Sequence, residues 1–337
     1  MSFQKTRAWL NNKFISTCVL MFITGNLFAC DICGCFMGIT PYDNQSNIGI
    51  IYRYRSFNGY EGQSHKIFPT KSSFLIPSDK TDAPLTGHNG NQHDYEIYRT
   101  TEIRARYFLH KRIEFTAIIP YNSNSERYNN YTSTISGLGD INLYGGYHIL
   151  RKLNTAGINQ RLIVGTGVKL PSGRYDVKNN DGIRYSSLHQ PGTGSTDGFV
   201  YANYLIGYKK IGLSWNAGYK FNGDNKFDEG IANSTTQFVN LFYQYKMNKA
   251  VTLIPAVQTF YEYSGGETYQ GQKTGEHKTD NLMSGIGLDI FYKNLTFNSG
   301  IQFNITSAAT AHPLSAAKIH LGLTYNFKQL YYLINSK

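Results

Sequence analysis

The chain has 337 residues, of which 15% are aromatic and only 16% are charged, and its formal net charge is +11. It contains 27 Tyr, 20 Phe and 33 Gly but nine Pro, a composition that favours strands over helices. Mean hydropathy is −0.38, and no apolar run of membrane-spanning length follows the N-terminal region, which excludes membrane-spanning helices. Cations are spread through turns and loops rather than clustered, so the sequence predicts no nucleic-acid partner.

Residues 1–29 predict a cleaved signal peptide. Positive residues precede an apolar core at 14–23, and a cleavage point follows directly ahead of Cys30. Residues 30–46 then form a short periplasmic segment that carries every cysteine of the mature chain, because Cys18 lies in the signal. With no cysteine in the body of the protein, a disulfide-stapled fold is excluded.

The sequence C-D-I-C-G-C from Cys30 to Cys35 has three open interpretations. Thiolates of Cys30, Cys33 and Cys35 suit a Cu or Zn ion on the periplasmic side. The same thiols would form a disulfide in an oxidising compartment. Leu27-Phe28-Ala29-Cys30 also resembles a lipobox, in which case Cys30 carries a lipid anchor. Apart from Cu or Zn at this motif, the sequence predicts no cofactor.

From Asn47 to Phe327, segments of about ten residues repeat with apolar side chains at every second position, the period of a strand. Twelve such strands are predicted, at 47–57, 94–109, 112–121, 136–150, 159–170, 197–208, 211–221, 235–246, 251–263, 282–292, 295–306 and 317–327. Tight turns such as Lys209-Lys210 alternate with long polar connections. The long connections are predicted at 58–93, 122–135, 171–196, 222–234, 264–281 and 307–316.

An even number of strands, with short turns at one end and long loops at the other, predicts an all-β fold. The expected architecture is a single antiparallel up-and-down transmembrane β-barrel of about 12 strands over 47–327, followed by a C-terminal tail at 328–337. The strands of a soluble β-sandwich also alternate apolar and polar residues, but a sandwich does not explain why short turns and long loops alternate so regularly. The barrel places the protein in the bacterial outer membrane, among its lipids and lipopolysaccharide, with both termini periplasmic. The sequence does not specify an oligomeric state.

Charged residues on the first strands fall on the face assigned to the lumen. They are Arg53, Arg55, Glu102, Arg104, Arg106, Glu114 and Asp140. An Arg that faced lipid near the midplane of the bilayer would destabilise the barrel by about 2–4 kcal/mol, which supports the inward assignment. Two interpretations stay open, a selective polar constriction and a salt-bridged brace that fills the lower barrel. Aromatic residues mixed with small ones on the same face predict a narrow conduit rather than an open porin.

Three motifs carry a resemblance to a known family: S-G-L-G-D-I-N-L-Y-G-G-Y at 136–147, L-P-S-G at 170–173 and P-G-T-G-S at 191–195. Together they resemble the outer-membrane barrel family named for meta-pathway phenol degradation, a relative of the FadL-like hydrocarbon and fatty-acid transporters. The resemblance covers roughly 136–210. It implies a channel for small, often hydrophobic compounds.

The leading functional prediction is passage of a small hydrophobic or aromatic solute across the outer membrane, without enzymatic activity. One alternative is a metal-linked outer-membrane protein that uses the cysteine motif. Another is an outer-membrane hydrolase, which requires a nucleophile and a histidine facing the lipid, or an acid–histidine set in the upper mouth. His148 and His320 alternate inward instead, which disfavours the hydrolase.

Overall fold

The computed structural model describes residues 45–58, 95–128, 131–152, 157–180, 182–185, 187–273, 279–305 and 315–327. The predicted signal peptide, the cysteine segment and the C-terminal tail lie outside these residues. Among the residues that the structure describes, no helix is long and apolar enough to cross a membrane.

The described chain is built from strands. They are β1 (Ser46–Asn58), β2 (Tyr95–His110), β3 (Ile113–Tyr128), β4 (Tyr131–Leu138), β5 (Ile141–Lys152), β6 (Ile158–Leu170), β7 (Asp197–Tyr208), β8 (Ile211–Phe221), β9 (Glu229–Ile231), β10 (Ser234–Tyr243), β11 (Tyr245–Lys246), β12 (Val251–Ser264), β13 (Glu267–Tyr269), β14 (Gln272–Lys273), β15 (Thr279–Tyr292), β16 (Leu295–Asn304) and β17 (Ser315–Phe327).

Twelve of these strands close into one antiparallel barrel. Around the ring the order is β1, β2, β3, β5, β6, β7, β8, β10, β12, β15, β16 and β17, and β17 pairs with β1. The ring is continuous between β10 and β12, which pair from Ser234–Ser264 to Phe242–Ala256. The prediction of a 12-stranded up-and-down barrel is therefore confirmed.

Side chains alternate between the two faces of this wall. On β8, Ile211 and Phe221 are 58% and 50% exposed on the outside, whereas Ser214 and Lys220 are buried on the inside. Exposed tyrosines mark the short-turn end of the outer face: Tyr107, Tyr147, Tyr208, Tyr243, Tyr292 and Tyr325. An outer apolar band with an aromatic girdle at its edge is the surface that a bilayer requires of a β-barrel.

The predicted loop at 122–135 is wrong. β3 continues to Tyr128 and β4 begins at Tyr131, and the two pair as a hairpin that extends the wall at the long-loop end. Polar side chains occupy both faces of this hairpin, so it lacks the apolar alternation that identifies the other strands. Hydroxyl pairs support it instead, as between Ser125 Oγ and Thr134 Oγ1 at 3.1 Å.

Other predicted bounds also change. The predicted strand 136–150 is divided between β4 and β5 by Gly139 and Asp140. The predicted loops 222–234 and 264–281 contain β9, β13 and β14, which form a separate three-stranded sheet. The predicted strand 235–246 divides into β10 and β11. These differences all fall at strand ends and leave the ring itself unchanged.

Candidate functional site

Charged side chains on the inner faces of β1 and β2 form one network. A guanidinium nitrogen of Arg53 donates to Glu102 Oε2 at 2.9 Å, and one of Arg104 donates to Glu102 Oε1 at 2.6 Å. Glu102 is fully buried between the two arginines. A buried carboxylate is stable only where such partners satisfy it, so the three residues form a unit.

A second ion pair spans the lumen. Arg55 on β1 binds Glu262 on β12 through both guanidinium nitrogens, with Nη1 to Oε2 at 2.9 Å. Three ring strands separate β1 from β12, so the pair reaches across the interior rather than along the wall. Asn281 donates to the same carboxylate at 3.1 Å, and the Lys318 ammonium lies 3.4 Å from the centre of the Phe260 ring. The lumen is therefore crossed by a charged and aromatic bridge.

Nearer the short-turn end, Glu114 and His148 are both buried and lie side by side. His148 Nε2 is 3.1 Å from Glu114 Oε2, and the imidazole packs edge-on against Phe108 at 5.6 Å between ring centres. Arg106 is also buried on this inner face. The short-turn half of the described lumen is thus lined by buried polar groups.

Asp140 joins the three motifs that carry the family resemblance. Its Oδ1 accepts a hydrogen bond from the Gly173 amide at 2.9 Å, and its Oδ2 accepts from the Thr193 amide at 2.8 Å and the Thr193 hydroxyl at 2.9 Å. Lys169 Nζ lies 3.1 Å from the same Oδ2. One carboxylate therefore fastens both ends of the segment 171–196, which we call the clasped loop, to the barrel wall.

Glycines allow the backbones at this clasp to approach closely. A Cβ on Gly173 would lie 2.7 Å from the carbonyl carbon of Gly139, and one on Gly192 would lie 2.8 Å from Gly173 Cα. Gly194 also has a φ of 75°, in the region that glycine tolerates. Three chain segments, around Gly139, Gly173 and Gly192, therefore touch through their backbones. A larger residue at Gly173 or Gly192 would force these segments apart.

A second carboxylate extends the clasp along the wall. Asp197 is 98% buried and sits between two lysines, with Oδ2 2.6 Å from Lys169 Nζ and 2.7 Å from Lys220 Nζ. Its Oδ1 accepts a hydrogen bond from Ser195 at 2.8 Å. Together with Asp140 these groups form a buried chain of alternating charge on β6, β7 and β8.

The clasped loop lies against the inner face of β3 and beneath the small three-stranded sheet. Asn124 Nδ2 donates to the carbonyls of His189 and Gln190 at 3.1 and 3.2 Å. Glu229 on β9 accepts from Ser187 at 2.8 Å and pairs with Arg184. The loop, the sheet and β3 are therefore connected to one another at the long-loop end of the barrel.

The structure places the seven predicted charged residues on the inner face and brings three of them, Arg53, Glu102 and Arg104, into one network. The seven fall into the separate groups described above, around Glu102, Glu262, Glu114 and Asp140. The cysteine motif, predicted as a metal or lipid site, lies outside the described residues. Within the described residues no cluster of His, Cys, Asp or Glu has a metal-binding arrangement.

Sequence reasoning missed several charged residues of these inner groups. Lys169 and Glu262 pair directly with predicted charges, Asp197 and Lys220 extend the Asp140 group, and Lys318 lies over Phe260. All of them occupy inward positions of their strands, so strand alternation identifies their face. It does not identify their partners, because Lys169, Asp197 and Lys220 meet through the register of β6, β7 and β8, and Glu262 meets Arg55 through closure of the ring.

The closed ring, its apolar outer band and its polar interior define an outer-membrane β-barrel. The family model described as putative MetA-pathway of phenol degradation matches residues 77–317. The match spans well over half of the chain, and the chain belongs to this family. No curated protein sequence matches it significantly.

The chain is similar in fold to a solved outer-membrane channel. An outer-membrane channel from Pseudomonas putida F1 aligns with a TM-score of 0.57 at 14% identity, covering 86% of this chain and 100% of that one. The β domain of the Bordetella autotransporter BrkA aligns with a TM-score of 0.47 at 10% identity, covering 85% and 100%. A Pseudomonas aeruginosa FadL homologue aligns with a TM-score of 0.37 at 10% identity, covering 90% and 96%.

Proposed function

We propose that this barrel is a channel that passes a small solute through the outer membrane. The observation that carries the proposal is a closed wall whose inner face is charged and polar and whose outer face is apolar. A barrel that served only as a membrane anchor would not need ion pairs buried across its interior, because burying such pairs costs desolvation free energy. The clasped loop supports the proposal, because it is bonded to the inner face of β3 and to Asp140 without being part of the wall.

The solute class that best suits the interior is a small aromatic molecule with a polar substituent. Tyr144, Phe199 and Tyr201 form an inward cluster with ring centres 5.3 and 6.0 Å apart. Lys220 Nζ lies 5.6 Å from the Phe199 ring, so a charged donor adjoins the aromatic faces. Aromatic pairs gain about 0.5–1.5 kcal/mol beyond area burial, enough for weak and reversible contact with a passing ring. The family description, which names phenol degradation, agrees with this class.

An enzymatic role has less support. The buried His148 is bonded to Glu114 and covered by Phe108 inside the barrel, where a membrane lipid has no access. We therefore infer no hydrolase activity for this residue. The metal-linked alternative rests on Cys30, Cys33 and Cys35 and stays a prediction from the sequence.

Permeation tests the proposed function directly. Purified protein is reconstituted into liposomes, and swelling is compared for phenol, benzoate and a sugar of similar size. We expect phenol and benzoate to enter faster than the sugar, and Tyr144→Ala with Tyr201→Ala to reduce that preference. The control is Tyr208→Ala, which removes an exposed tyrosine from the outer face. Absence of permeation for every solute would contradict the channel, and equal rates would contradict only the solute class.

A further inference from the structure

The outer face of the wall formed by β2, β3 and β4 changes from apolar to polar at the long-loop end. Lower on this face the residues are apolar, and Ile119, Tyr121 and Leu138 are 42%, 49% and 56% exposed. Tyr121 pairs with Leu138 across β3 and β4, so the two mark the upper edge of the lipid-facing band. The next outward positions toward the long loops are all polar on these two strands.

Hydroxyl groups line this upper region in a regular ladder. Ser123 pairs with Ser136, whose hydroxyl donates to it at 2.9 Å, and Ser125 pairs with Thr134 at 3.1 Å. Arg99 on β2 reaches the same ladder, since its Nη1 donates to Ser125 Oγ at 3.0 Å. The Arg99 guanidinium group therefore lies against the hydroxyl ladder.

A second arginine stands at the top of the ladder. Arg99 pairs with Ser123 across β2 and β3, and Arg127 lies four residues beyond Ser123 on the same outward face. That offset separates the two Cα levels by about 13 Å along the strands. At the outward positions from Tyr95 to Arg99, Ser123 to Arg127 and Thr132 to Ser136, the sequence has two arginines and no carboxylate.

Arginine and hydroxyl donors just above an apolar band match the chemistry of a phosphorylated lipid head group. Guanidinium groups bind phosphate with paired, charge-assisted hydrogen bonds, and serine and threonine hydroxyls supply further donors. Basic residues at the membrane surface gain most where the lipid is anionic. We propose that Arg99, Arg127 and this hydroxyl ladder bind the phosphorylated head group of a glycolipid in the outer leaflet. The proposal rests on the outer-membrane location and does not depend on the channel function.

Native mass spectrometry of the full chain in detergent tests the site. The probes are bis-phosphorylated lipid A, the same lipid without its phosphates, and inorganic phosphate as a competitor. We expect the phosphorylated lipid to bind and Arg99→Gln with Arg127→Gln to weaken it about tenfold or more, as loss of two charged hydrogen bonds implies. The matched control is Lys111→Gln with Arg112→Gln, two exposed cations in the turn at the other end of the same β2–β3 hairpin.

Several results would overturn the proposal. They are equal affinity of the double variant and the wild type, equal affinity for lipid with and without phosphate, and saturable binding of inorganic phosphate alone. The charge-retaining variant Arg99→Lys with Arg127→Lys provides a further check. Lysine keeps the positive charge but not the paired donors, so this variant should bind more weakly than the wild type and more tightly than the glutamine variant. Weaker binding than the glutamine variant, with the barrel intact, would show that positive charge at these positions is not what the lipid recognises.

Discussion

At the scale of single residues, one carboxylate explains why three short motifs far apart in the sequence occur together. Asp140 accepts hydrogen bonds from Gly173 and Thr193, and Gly139 and Gly192 provide the space for that contact. The sequence identifies Asp140 as an inward charge and shows the glycines only as parts of the three motifs. It did not show that they meet, because the contact depends on the clasped loop folding back into the barrel.

Removal of the Asp140 carboxylate should release the clasped loop. In Asp140→Ala, Lys169 and the Thr193 amide lose a buried partner, which typically costs about 3–5 kcal/mol. We expect faster amide hydrogen exchange over 171–196 and a lower urea midpoint. The control is Asp176→Ala, an exposed carboxylate of the same loop that lies 3.8 Å from Lys226. Equal exchange rates in the two variants would contradict the clasp.

The close backbone contact makes a separate prediction. Gly173→Ala places a Cβ 2.7 Å from Gly139, so the loop must shift, and overpacking of this kind typically costs about 1–3 kcal/mol. Gly198→Ala is the matched control, because its Cβ would meet Phe221 at an ordinary 4.0 Å. Urea unfolding of both variants measures the difference. A Gly173→Ala protein as stable as Gly198→Ala would show that the contact is not tight.

At the scale of elements, strand alternation explains both what the sequence predicts and what it misses. β8, β16 and β17 alternate apolar and polar residues along their length, and their predicted and observed bounds agree within a few residues. The upper β3–β4 hairpin has Asn, Ser and Thr on both faces because it stands above the apolar band. Polar residues on both sides of a strand look like a loop, so its pairing was not predictable.

The bridge between β1 and β12 is a contact that no local pattern predicts, since it depends on the diameter of the closed ring. Glu262→Gln keeps the shape of the side chain but removes the charge that Arg55 faces. We expect the variant to be less stable by about 3–5 kcal/mol and to conduct more, because the ion pair that crosses the lumen is lost. Planar-bilayer conductance and urea unfolding give the two measurements.

A double-variant cycle separates the pair from each residue alone. Arg55→Gln with Glu262→Gln removes both charges. The double variant should therefore lose less stability than the sum of the two single losses, by about 0.5–3 kcal/mol. Asp280→Asn, an outward carboxylate on the neighbouring strand β15, is the control for a change of net charge. Additive losses in the cycle would mean that the two residues do not interact across the lumen.

At the scale of the whole molecule, closure of the ring and the shape of its interior depend on different sets of interactions. The ring is held by continuous backbone pairing, from β1 with β17 to β10 with β12, and these ladders do not involve the clasped loop. The clasp and the lumen bridge are side-chain contacts added inside that ring. A change to either should therefore alter the mouth or the lumen while the barrel stays closed.

This separation predicts the behaviour of the variants on gels. A closed barrel resists detergent until it is boiled, so unboiled wild-type protein should migrate differently from boiled protein. Asp140→Ala and Glu262→Gln should keep that shift, because every strand pair of the ring retains its backbone hydrogen bonds. A proline at Asn240, inside the β8–β10–β12 ladder, should abolish the shift, since it removes a donor from the middle of the sheet. Loss of the shift in Asp140→Ala would instead show that the clasp is part of what closes the barrel.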